Sequence, residues 1–181
     1  MKKILILFII MFSFFNKSFA NYTQLAHEFQ FKGIQGEMIK LGDYKNKVIV
    51  VVNVASRCGF TYQYDGLQAL WENYKEKDVV VIGVPTNDFK QEPASNKEIK
   101  DFCEQNFNIN FPLTEKINVL GKDAHPFYIW AKENHGKSAI PKWNFHKIII
   151  GKNGKVADTF ASITNPSSKR FLNFIEEQIK N

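Results

Sequence analysis

The chain of 181 residues carries two cysteines, Cys58 and Cys103. Two thiols are too few for a disulfide-stapled mini-protein and too few for a structural zinc site of three or four thiolates. They act singly or as one pair. Cys58 lies three residues beyond the apolar run Val48–Ala55 and just ahead of a helical pattern, which is where an open α/β sheet collects its reactive groups. A thiol of pKa about 8.5 is only a few per cent thiolate at neutral pH, and the thiolate is the nucleophile. Lowering that pKa by about two units takes about 2.7 kcal/mol of selective stabilisation of the anion. A helix N-terminus supplies up to ~2 kcal/mol and a hydrogen bond to a charged group ~1.5 to 3 kcal/mol. Position 61 holds Thr61, so dithiol exchange through a Cys-X-X-Cys pair is excluded. On position alone three readings stay open: a nucleophile such as one that attacks peroxide, a static disulfide with Cys103, or an inert buried thiol.

The elements that must position Cys58 follow from hydrophobic spacing. Val48–Ala55 is an almost continuous β-branched run, as a strand covered on both faces requires. Apolar residues then recur at Tyr64, Leu67, Leu70, Trp71 and Tyr74, which predicts a helix of about 15 residues with Thr61 as its N-cap. A second buried run, Val79–Val84, completes a βαβ unit and so two parallel strands with a right-handed crossover. Upstream, Phe29, Phe31, Met38, Ile39 and Leu41 around Gly33 and Gly36 read as an edge hairpin. Ser95 and Glu98 form a capping box for a helix with Ile99, Phe102 and Cys103 on its apolar face. Another helix is predicted from Pro126 to before Gly136. Asn153-Gly154 joins Ile148–Ile150 to Val156–Phe160 as a hairpin, and Asn165-Pro166 opens a C-terminal helix. The order describes a three-layer α/β domain with a central mixed β-sheet flanked by helices.

Residues 1–20 read as a secretory signal peptide. Lys2 and Lys3 precede a 12-residue apolar run, Ile4–Phe15, and Ser18 and Ala20 supply the small side chains of a cleavage site after Ala20. The run is shorter than the roughly 20 residues that span a bilayer, and no cysteine follows it to take a lipid. Export to the periplasm or the medium is therefore expected, with residues 21–181 as one domain in a compartment where thiols tend to oxidise. The formal net charge of +6 includes Lys2, Lys3 and Lys17; without them 21 basic residues face 18 acidic ones with no block of like charge. That balance speaks against nucleic acid as a partner. His27, His125, His135 and His146 show no paired metal-site spacing, so neither metal nor cofactor is expected.

Asn53–Thr61 (NVASRCGFT), with Gln63, Tyr64, Leu67, Gln68 and Leu70 after it, resembles the active-site signature of the glutathione peroxidase family in its cysteine, non-selenium form. Val84–Pro93 (VPTNDFKQEP) resembles the family's second motif, and Lys142–Lys147 (KWNFHK) its third. The resemblance covers almost all of the mature chain, with the three blocks in the family's order and spacing. The resemblance implies a thioredoxin-like fold and a thiol peroxidase that reduces hydrogen peroxide and organic or lipid hydroperoxides. It makes Cys58 the residue that attacks the O–O bond and becomes a sulfenic acid. It also makes Gln91, Trp143 and Asn144 the amide and indole donors that hold thiolate and peroxide. The chain departs from the pattern in two places. Lys90 alone separates Phe89 from Gln91 where the family usually has two residues, and Thr86 stands where a cysteine is common.

Cys103 resembles the resolving cysteine of the thioredoxin-dependent, bacterial members. The resemblance implies that it condenses with oxidised Cys58 and that a thioredoxin-like protein, or less readily glutathione, reduces the disulfide. The alternative left open by the residues is that Cys103 only packs beside Ile99 and Phe102. The short stretch between Ala131 and Trp143 resembles members without the tetramer-contact insertion, which implies a monomer. The competing view is a secreted, non-enzymatic thioredoxin-like module with a structural Cys58–Cys103 disulfide.

Overall fold

Alternation gives the first two strands one buried face. In β1 (Gln30–Lys32) and β2 (Met38–Lys40) only Phe31 and Ile39 are buried, and the two pair antiparallel as a ribbon apart from the main sheet. The computed structural model describes residues 22–181; the expected signal peptide lies outside them.

A run without polar alternation has no face to give to water, and all seven residues of β3 (Val48–Val54) are buried. Helix α1 (Gln63–Tyr74) leads from it to β4 (Val79–Pro85), equally buried and parallel to β3 from Val48 opposite Val79 to Val54 opposite Pro85. Helices α2 (Asn96–Phe107) and α3 (Pro126–His135) follow. Strand β5 (Lys147–Ile150) then returns antiparallel to the other edge of β3, and β6 (Val156–Phe160) pairs antiparallel with β5. The sheet order is β4-β3-β5-β6, a mixed sheet as the spacing predicts. Helix α4 (Lys169–Lys180) closes the chain.

The two faces of β3 serve two cores. Val48, Val50, Val52 and Val54 pack with α1, α2 and α4 through Leu67, Ile99, Phe171 and Ile175. Ile49 and Val51 pack on the opposite face with α3 and the β1–β2 ribbon through Phe127, Phe31 and Ile39. Each fully buried Val or Ile contributes roughly 1.5–3 kcal/mol by leaving water, so the strand that carries Cys58 at its end is anchored from both sides.

Two helix starts differ from the sequence expectation. Helix α1 begins at Gln63 with Tyr62, not Thr61, at the N-cap and no side-chain cap. The amides a Thr61 hydroxyl would serve are already taken, because Gln63 N–H donates to Phe60 C=O at 2.9 Å and Tyr64 N–H to Thr61 C=O at 2.9 Å. Helix α4 begins at Lys169 with Ser168 Oγ accepting from Phe171 N–H at 3.4 Å. Asn165 instead closes the preceding turn, its side-chain oxygen accepting Ser167 N–H at 2.8 Å. The Ser95–Glu98 capping box forms as expected.

Candidate active site

The parallel pair β3–β4 ends where the 55–62 loop begins, and Cys58 sits in that loop with only 4% of its surface exposed. Its Sγ accepts the Phe60 N–H at 3.5 Å, so a backbone amide is already aimed at the sulfur where a negative charge would form. Thr61 N–H donates to Cys58 C=O at 3.1 Å and closes the turn. Cys103 lies fully buried on α2, and both cysteines are free thiols. The static Cys58–Cys103 disulfide is therefore not formed in this structure.

The segment after β4 is bound to the Cys58 loop. Arg57 N–H donates to Gln91 C=O at 3.0 Å. Ser56 N–H and Oγ–H both donate to Glu92 Oε2, at 2.6 and 2.7 Å. The short loop turns at Lys90, whose φ of 57° lies in the left-handed region, after Lys90 N–H has bonded Asn87 C=O at 2.8 Å. That turn delivers Gln91 to Asn144: the Asn144 Nδ2–H donates to Gln91 Oε1 at 2.9 Å. The Gln91 side-chain NH₂ keeps its donors for another partner.

Asn144 is fully buried and its Oδ1 has no partner. Its segment is stapled to β3 by Asn53, the one polar residue in the strand. Asn53 Nδ2–H donates to Trp143 C=O at 3.1 Å, and Phe145 N–H, in a left-handed conformation at φ 63°, donates to Asn53 C=O at 2.6 Å. Trp143 remains 40% exposed, tilted against Phe89 with ring centroids 5.4 Å apart. Beside it opens a cavity of about 630 Å³ lined by Phe60, Trp143, His146, Phe160, Ile163 and Arg170. The structure thus brings Cys58, Gln91, Trp143 and Asn144 to one end of the sheet, and leaves Cys103 in the core beneath.

Sequence reasoning gave Asn53 and Glu92 no role, although a lone Asn inside a β-branched run is a legible signal. It also passed over Lys147, which is fully buried and paired with no carboxylate among the described residues. The Lys147 ammonium donates to Gln63 Oε1 and to Thr164 C=O, the latter at 2.6 Å. Burial pushes its pKa down to about 7, and burial together with the Lys147 charge pushes His146 down to about 4. Among the described residues no group of three or more His, Cys, Asp and Glu is placed to hold a metal.

These two bases set a pH dependence of stability. The unfolded chain binds a proton at His146 below its ordinary 6.5 while the folded chain does so only below about 4, so His146 stabilises fully above 6.5 and the benefit is lost as pH falls to 4. Lys147 binds its proton near 10.5 when unfolded and near 7 when folded, so stability rises with pH above 7. The Cys103 thiol, raised from 9.0 to about 11, opposes that rise from pH 9 upward. Urea midpoints measured from pH 4 to 9 are expected to climb across both windows. His146→Gln flattens the acid limb relative to wild type, and Lys147→Met flattens the limb between pH 7 and 9.

A buried cysteine that receives a backbone N–H at the end of a mixed four-stranded sheet flanked by helices lies on a thioredoxin-like fold. The chain belongs to the glutathione peroxidase family, whose model matches residues 26–132. It is 40% identical over 158 residues to a glutathione peroxidase of Lactococcus lactis, covering 85% of this chain and 96% of that one. It is 42% identical over 151 residues to glutathione peroxidase-like peroxiredoxin 2 of Saccharomyces cerevisiae, covering 81% and 93%. A hydroperoxy fatty acid reductase of Synechocystis is 40% identical over 156 residues, with 81% and 92% covered. The crystal structure of apo Trgpx superposes with a TM-score of 0.70 at 37% identity, over 88% of this chain and 98% of that one. The protein is an oxidoreductase that acts on peroxides.

Proposed function

We propose that Cys58 is the peroxidatic residue and that Gln91, Trp143 and Asn144 hold the thiolate and the peroxide. The observation that carries this reading is the Gln91–Asn144 bond at 2.9 Å beside a loop whose sulfur already receives the Phe60 amide. The Cys58 thiolate attacks one peroxide oxygen, the O–O bond breaks, and the leaving oxygen takes a proton to become water or an alcohol. Cys58 is left as sulfenic acid. The Cys103 thiolate then attacks the Cys58 sulfur, the hydroxyl leaves as water, and a dithiol protein of thioredoxin type reduces the disulfide in preference to glutathione. Because Cys103 is fully buried on α2, that helix has to unwind in part for the sulfurs to meet in disulfide geometry.

The apolar cavity beside Trp143, with Ile163 78% exposed at its edge, suits the hydrocarbon portion of an organic or lipid hydroperoxide. The short connection from α3 to Trp143 supports a monomer. The leader supports export with a mature N-terminus at Asn21. The test is an assay of hydrogen peroxide and a fatty acid hydroperoxide with a thioredoxin and with glutathione as donors. The reading expects turnover of both peroxides and faster turnover with the dithiol protein; equal or greater rates with glutathione overturn the donor assignment.

A further inference from the structure

Tyr64 is fully buried at the start of α1, and its hydroxyl has no hydrogen-bond partner among the described residues. A buried hydroxyl left without such a partner costs about 1–3 kcal/mol, so its surroundings call for a reason. The ring is held by Phe107 and Phe145, each with its centroid 5.1 Å away, the latter edge to face. Both cysteines belong to the same packed cluster. Besides burial, the groups acting on the phenol are the Cys103 thiol first, then Glu92 from the loop after β4, then Cys58. Burial raises Cys103 to about 11; the Tyr64 hydroxyl works against that, and Glu92 and Glu104 add to it. A thiol so placed has little thiolate at neutral pH, and the hydroxyl that acts to lower its pKa is that of Tyr64.

We propose that Tyr64 is the positioning residue of the resolving step, its hydroxyl donating to the Cys103 sulfur as that thiol ionises and moves toward oxidised Cys58. This rests on Cys103 being the resolving cysteine. Tyr64 shares one packed cluster with both cysteines and its ring lies against Phe107, one turn from Cys103 on α2, so its unpartnered hydroxyl is free to follow Cys103 toward Cys58. The proton lost from Cys103 balances the hydroxyl that leaves Cys58, giving water and the disulfide.

The test follows sulfenic acid formation and disulfide formation separately after one equivalent of hydrogen peroxide, in wild type, Tyr64→Phe, Cys103→Ser and a chain with 3-fluorotyrosine at position 64. In Tyr64→Phe the disulfide step slows relative to the peroxide step on the order of tenfold to a hundredfold, the loss of a hydrogen bond to a charged group, and its pH midpoint moves up. Fluorotyrosine, a more acidic donor, moves the midpoint down, which a packing role does not do. An unchanged ratio of rates with an unchanged midpoint overturns the inference, as does a Tyr64→Phe chain in which both steps slow equally. Disulfide-free turnover at the wild-type rate in Cys103→Ser overturns the resolving assignment itself.

Discussion

Replacing Cys58 with serine abolishes peroxide reduction, lowering the donor-dependent rate on the order of a thousandfold or more with either hydrogen peroxide or a fatty acid hydroperoxide. The effect is large because no other group can do the chemistry. A serine hydroxyl is not ionised at neutral pH and cannot be oxidised to a sulfenic acid, while Cys103, the other thiol, is fully buried and held at a pKa of about 11. Serine is close in size to cysteine, so the turn closed by Thr61 N–H on Cys58 C=O at 3.1 Å survives. A thermal melt matching wild type accompanies the rate measurement, and retained peroxidase activity in that folded variant rejects the mechanism.

Replacing Cys103 with serine separates the two half-reactions. One equivalent of peroxide is still consumed, because the substitution leaves Cys58 and the Gln91–Asn144 bond in place. Cycling with a thioredoxin then falls at least about tenfold, since the sulfenic acid has no internal thiol to meet and must wait for an external one. A sulfenic-acid trap labels Cys58 in the variant and labels it only transiently in wild type. Continued cycling at the wild-type rate would remove Cys103 from the pathway.

The parts of this protein set by local rules were legible in the chain. The seven buried residues of β3, the capping box at Ser95 and the Asn153-Gly154 hairpin all follow from period, cap chemistry and turn geometry. Cys58 could be placed because a reactive residue past a buried parallel strand is a topological signal. What stayed hidden depends on distant segments meeting. Thr61 looks like a cap until the Phe60 carbonyl takes the amide it would serve. Lys147 looks like a surface lysine at a strand end until β3 and β6 cover it and Gln63 Oε1 and Thr164 C=O accept hydrogen bonds from its ammonium. Glu92 gains its meaning from Ser56, 36 residues earlier in the chain, and the Gln91–Asn144 bond spans 53 positions that no local pattern connects. Tyr64 fits a core helix position by spacing, and only the packing shows that its hydroxyl is buried without a partner in the cluster that holds both thiols.

The most direct measurement is the mass and peptide map of the reduced, purified chain after one equivalent of hydrogen peroxide. A peroxidatic Cys58 resolved by Cys103 requires the wild-type mass to fall by two hydrogens, with a Cys58–Cys103 linked peptide, and the Cys103→Ser mass to rise by one oxygen located on Cys58. A wild-type chain that gains oxygen without the linked peptide, or oxygen found on a residue other than Cys58, would contradict it.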